Sequence, residues 1–149
     1  MTLIDRISIT ASIVDRQPTI LPLAKNEYEY EYTTLELGEI DLSFAGRYYE
    51  SNRVHHNISA LNQNDILFIQ LKEDKYELYD SERNIVGRLS KKYFIPVGKK
   101  IKSVKVFAII CRKKEDSIPE YIDNIRKDRW EVVVPEIIYE PDDTKIMTE

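Results

Sequence analysis

The sequence predicts a mainly β domain of the α+β class, a small and partly closed barrel or sandwich carrying one or two short helices. Three observations predict it. Apolar and polar residues alternate at period two through much of the chain, which places them on opposite faces of strands. Ten tyrosines stand against only four glycines, a balance suited to the half-buried surface of a sheet. The candidate strands are short and closely spaced, and closing such a sheet on itself hides its edges. With 149 residues the chain has the size of one ordinary domain, large enough for a core without staples. A single β-barrel-type domain is expected over 1–140, followed by an acidic, flexible tail over 141–149.

In chain order, Ile7-Ser8-Ile9-Thr10 alternates first. Glu27 to Tyr32 then places tyrosines on one face and glutamates on the other, and Thr34 to Leu37 continues the alternation until Gly38. Ile66 to Leu71 reads as a strand core, and Glu73-Asp74-Lys75 as the hairpin loop before Tyr76 to Tyr79. A turn over Ser81 to Asn84 leads into Ile85 to Leu89. Val104 to Arg112 and Trp130 to Tyr139 complete the strands, and Pro135 marks the last as an edge or a bulge. Ser90 to Phe94 is one short turn capped by Ser90 and ended by Pro96. The best helix is Ser117 to Lys127, where Ile118, Tyr121, Ile122 and Ile125 share a face behind Pro119.

Composition narrows the function. The longest apolar runs, such as Val106 to Cys111, are far too short to cross a bilayer. The N-terminus lacks the basic and apolar regions of a signal peptide, so a cytoplasmic location is expected. A single cysteine, Cys111, excludes an internal disulfide and reads as a buried, inert thiol. His55-His56 on a strand point to opposite faces and make no metal site alone. Asp41 and Asp65 read as turn or cap residues. The stripe Glu27, Glu29, Glu31 suits a solvent face better than Mg²⁺. Phosphate loops, dinucleotide fingerprints and serine elbows are absent from the sequence. No enzyme activity, cofactor or metal is expected.

The charge distribution is more informative than its total. Eleven cations and one acid, a net +10, lie between Ser81 and Lys114, which leaves −14 on the remainder of a chain whose total is −4. A surface built only for solubility intersperses its signs. One explanation is a positive face, formed by strands 85–89 and 104–112, that meets phosphates. The other is pairing of these cations with the acidic Tyr/Glu strand and the acidic C-terminal arm. Gly46-Arg47-Tyr48-Tyr49 adds a guanidinium beside two rings, a combination able to hold a phosphate next to a stacked base.

Gly46-Arg47-Tyr48-Tyr49, followed some forty positions later by Ile85-Val86-Gly87-Arg88-Leu89-Ser90-Lys91-Lys92, resembles a HIRAN domain. The resemblance covers roughly Leu42 to Ile110, a HIRAN-like core of about 42–110. It implies an open OB-like or SH3-like β-barrel of the kind attached to Swi/Snf-type DNA translocases, whose characterised members bind single-stranded DNA, in particular a free 3′ end. By its motif, Arg47 and Tyr48 match the phosphate-binding and stacking pair, Lys91 the basic residue after Gly-x-Leu, and Arg88 a polar or basic contact. The family's Asn-Pro-Tyr-Asp turn is absent between Asn62 and Asp74.

Charge count and resemblance point to the same strand and turn. They imply a non-enzymatic domain that binds single-stranded nucleic acid, DNA before RNA, through Arg47, Tyr48, Arg88 and Lys91. Lys92, Lys99 and Lys100 are expected to extend the positive track. Such a domain would act with DNA-processing machinery, in repair, restriction or replication alike. One rival is an adaptor docking a helicase, nuclease or restriction subunit through the Tyr/Glu strand or Trp130–Tyr139. The other is a metal-dependent nuclease using the glutamate stripe.

Overall fold

The computed structural model describes residues 30–142; the expected strand Ile7–Thr10, the first half of the Tyr/Glu alternation and positions 143–149 of the acidic tail lie outside the described residues. Six strands form one antiparallel sheet: β1 (Glu31–Thr34), β2 (Ile66–Lys72), β3 (Lys75–Tyr79), β4 (Ile85–Arg88), β5 (Lys99–Lys113) and β6 (Arg129–Pro141). Their order is β1-β6-β5-β2-β3-β4. The fold is thus mainly β with few short helices, and the sheet is open and barrel-like.

Two halves build it. β5 and β6 pair along their whole length, from Lys99 opposite Pro141 to Lys113 opposite Arg129. The meander β2-β3-β4 joins them only where Ile66 and Leu67 face Lys105 and Val104, so it is free to curl away from the long pair. The curl brings the outer edges together. β1 lies on one edge, and Ile40, six residues beyond its end, bridges to Leu89 just past β4 on the other. Asp41 N–H donates to Arg88 O at 2.9 Å, and Ser90 N–H to Glu39 O at 2.9 Å. Ser90 Oγ also donates to Gly38 O at 2.8 Å. The core fills the space this closure encloses: Leu78, Val86 and Leu89 from the meander meet Val104, Val134 and Ile137 from the long pair.

Local sequence explains most of the elements. Glu73 and Arg83 adopt positive φ in the two turns of the meander. Pro135 lies opposite Val106 next to a bulge in β5, one residue beyond the last β1 partner, Glu136, so its missing N–H interrupts no ladder on the β1 side. β1 stops at Thr34, short of the expected Leu37, because Leu37–Glu39 winds into a 3-10 turn in which Glu39 accepts the N–H of Glu36. Ser90 does cap a turn, accepting Lys92 N–H at 3.2 Å.

Three expectations are corrected. Ser117 to Lys127 is not an α-helix; only Pro119–Asn124 winds, as a 3-10 segment, since Ile125 turns back into the core in extended conformation. His55 and His56 lie on a helix, α1 (Arg53–Ser59), capped by Asn52, whose side chain accepts Val54 N–H at 2.9 Å. Val54 and Ile58, one turn apart, bury its inner face. Cys111 is exposed, because β5 runs on past the core to an open cleft beside α1.

Candidate nucleic-acid interface

The site begins with the loop that follows the closing bridge. Gly46 belongs to a 3-10 turn, Ala45–Arg47, rather than to the strand expected for Arg47-Tyr48-Tyr49. Trp130 dictates the choice of glycine: a Cβ on Gly46 would stand 2.7 Å from the indole carbons. The indole, 2% exposed, donates through Nε1 to Leu42 O at 2.7 Å. Arg126 N–H binds Gly46 O at 2.7 Å from the other side. The turn carrying Arg47 is therefore clamped between β6 and the segment before it.

From this turn Arg47 reaches Asp41, whose carboxylate also accepts from Arg88 Nε at 3.1 Å and pairs with Arg88 Nη2 at 3.0 Å. One carboxylate, its side chain 10% exposed, thus holds two guanidiniums from distant parts of the chain. The Arg88 guanidinium also lies 5.9 Å from the centroid of the Phe44 ring, against which Tyr48 packs edge-on at 5.4 Å. The Tyr48 carbonyl receives His55 Nε2 at 3.1 Å.

These arginines open onto a groove of about 570 Å³. Five cations line it, Arg47, Lys75, Arg88, Lys91 and Arg112, against two acids, Asp41 and Asp116. A neighbouring depression of about 470 Å³ shares Lys75, Arg88 and Lys91 and contains the exposed pair Lys91–Asp74 at 3.3 Å. That hydrogen bond holds the Asp74 carboxyl below its ordinary value. Two polar atoms of the groove lining, Arg112 Nε and Ser117 Oγ, are buried without a hydrogen-bond partner among the described residues.

Of the residues expected from sequence, Arg47, Arg88 and Lys91 come together in this groove, and Tyr48, Lys92, Lys99 and Lys100 do not line it. Lys99 and Lys100 sit at the far end of β5 from Arg112, paired with Glu31 and Glu140. Lys102 covers the Tyr30 ring at 3.6 Å. The basic stretch divides accordingly. Its central lysines neutralise the acidic strands, as the pairing explanation requires, while Arg88, Lys91 and Arg112 face the groove. Lys75 and Tyr121 were not anticipated as site residues, whereas Arg112 belongs to the strand 104–112 expected to form the positive face. Lys75 flanks an acidic turn opposite Lys72 and Tyr121 stands in an apparent helix, so no local pattern singles them out; only the curl of the sheet does.

A second cleft, about 460 Å³, lies between α1 and the ends of β5 and β6 and includes His55, His56 and Cys111. Among the described residues no three metal-ligating side chains converge, and no helix is long and apolar enough to cross a membrane. Comparison of the chain with family models, curated proteins and solved structures gave no match.

Proposed function

We propose that this chain is a cytoplasmic, non-enzymatic domain that binds single-stranded nucleic acid, DNA before RNA, alongside DNA-processing machinery such as that of repair. The single observation that carries the proposal is the convergence of five cations from separate segments of the chain on one groove, against two acids. Exposed cations contribute little to folding stability, whereas a groove of one sign concentrates and holds a polyanion. The Asp41 carboxylate fixes Arg47 and Arg88 side by side, so their remaining donors are pre-positioned for phosphate oxygens. The groove residues Arg47, Arg88 and Lys91 are three of the four that the HIRAN resemblance implicates, Tyr48 lying outside the lining, and the resemblance adds the expectation of a free 3′ end to the proposal.

Fluorescence anisotropy with a labelled single strand at low and moderate salt tests this, with duplex and 3′-phosphorylated strands beside it. Micromolar binding to the single strand that falls steeply with salt supports the proposal, and loss on blocking the 3′ end supports end recognition. No binding at low salt refutes it. A protein partner is the alternative, favoured by Ile66, Phe68 and Leu71, which stand more than half exposed on β2; association with a protein that ignores salt would point there.

A further inference from the structure

The groove is not lined by charge alone. Ile118 and Tyr121, 53% and 52% exposed, belong to the same lining as Arg47, Arg88 and Lys91, and Asn124 stands with them. Their segment is held in place. Tyr121 N–H binds Ile118 O at 2.9 Å, and Ile125 N–H binds Ile122 O at 3.0 Å. Ile125 is buried in the core. The next residue, Arg126, binds the carbonyl of Gly46, within the very turn that presents Arg47. The exposed ring of Tyr121 and the guanidinium of Arg47 are thus tied to one backbone junction.

Of the other exposed tyrosines, Tyr32 lies on β1 outside the groove lining, and the two beside Arg47 are occupied. Tyr48 packs on Phe44, and Arg126 lies 5.8 Å from the Tyr49 ring centroid. Among the described residues no ring or cation stacks on Tyr121. Near it, the buried hydroxyl of Ser117 has no partner among the described residues.

We infer that Tyr121, flanked by Ile118, is the stacking platform for an unpaired nucleobase of a strand whose phosphates lie on Arg47, Arg88 and Lys91. This deepens the proposed function and rests on it. An aromatic face beside a cationic track binds a flexible single strand by stacking plus backbone charge, and every base offers a face to stack. A base within a duplex is not free to do so. Asn124 supplies a donor and an acceptor to a base edge, which adds a modest base preference to a contact otherwise indifferent to sequence.

The test compares a labelled oligothymidylate with an abasic strand of equal length, for the wild-type chain, Tyr121→Ala, Tyr121→Trp and Lys91→Ala. Tyr121→Ala is expected to weaken oligothymidylate binding about tenfold and to leave abasic binding unchanged. Lys91→Ala weakens both. Trp130 is the only native tryptophan and is buried, so Tyr121→Trp adds an exposed indole that a stacked base quenches. Should Tyr121→Ala fail to fold, this quenching decides. Unchanged indole emission at saturation, or oligothymidylate bound by Tyr121→Ala as tightly as by wild type while Lys91→Ala loses it, overturns the platform and leaves the phosphate track standing. A wild-type chain that binds neither strand overturns both.

Discussion

Asp41 and Arg88, 47 positions apart, meet in a doubly bonded pair in which Arg88 Nε and Nη2 lie 3.1 and 3.0 Å from one oxygen of Asp41. The same oxygen accepts from Arg47. Because the acid is nearly buried and both arginines keep part of their surface, the three residues do not contribute alike. Asp41→Ala leaves two cations facing each other and should lower stability by about 1 to 2 kcal/mol. Arg47→Ala and Arg88→Ala each leave Asp41 one partner and should cost less. The double variant strands a charge with no partner and should cost more than the two singles added. Urea unfolding of the four variants checks this; strictly additive singles would show that the arginines act separately.

Gly46→Ala tests the clamp on the site loop. The new Cβ would meet the Trp130 ring at 2.7 Å, and that ring is fixed by its bond to Leu42. Overpacking at a rigid neighbour should cost about 2 kcal/mol. A red shift of the buried tryptophan emission should accompany it, with weaker strand binding because Arg47 moves with the turn.

The buried hydroxyls of Tyr93 and Tyr139 share a hydrogen bond of 2.7 Å, and burial pushes both phenols above the ordinary value of 10. Tyr79 is pushed up to about 12, chiefly by its hydrogen bond to Glu77. For each, the folded state holds its proton at a pH where the unfolded chain releases it. Stability from these groups is therefore fully present below pH about 10 and falls as pH rises through the folded values. The urea midpoint should hold steady from neutrality to about pH 9 and decline above about pH 10. Tyr93→Phe combined with Tyr139→Phe should flatten that decline; an unchanged alkaline slope would assign it to other residues.

Salt dependence separates the two parts of the basic stretch. Lys75→Ala and Lys91→Ala, both in the groove, should each reduce the slope of log K against log salt by about 0.7 for a single strand. Lys100→Ala, paired with Glu140 at 3.7 Å outside the groove, should leave the slope as it is. Equal effects from all three would mean that the strand runs along β5.

Much of the fold was legible because its signals are local. Glu73 and Asp74 turn the chain between two alternating runs, and Ser81 to Asn84 does so again, so β2, β3 and β4 follow from spacing alone. α1 escaped notice because it is two turns long and carries adjacent histidines; its signals were the Asn52 cap and the Val54/Ile58 spacing. The helical face read into Ile118, Tyr121, Ile122 and Ile125 misled because those side chains serve different masters, the groove for two and the core for Ile125. In the site, Arg47, Arg88 and Lys91 were legible from motif and charge. Asp41 was not, because an isolated aspartate after a strand looks the same whether it caps a turn or joins two arginines. Cation counts along a chain likewise do not tell Lys99, neutralised by Glu31, from Lys75, which faces the groove.

The outermost strand has a consequence for synthesis. β1 pairs with β6 alone, and Glu31 finds its opposite in Tyr139, 108 positions later. A ribosome releasing this chain has let out nearly every described residue before β1 has anything to pair with, and until then the long edge of β5 is also uncovered. The meander can form early, from contacts a few residues apart. Completion of the sheet is a late event, slow in the manner of folds ruled by distant pairings, and the waiting edge of β5 is where a nascent chain of this protein most needs shielding from its neighbours.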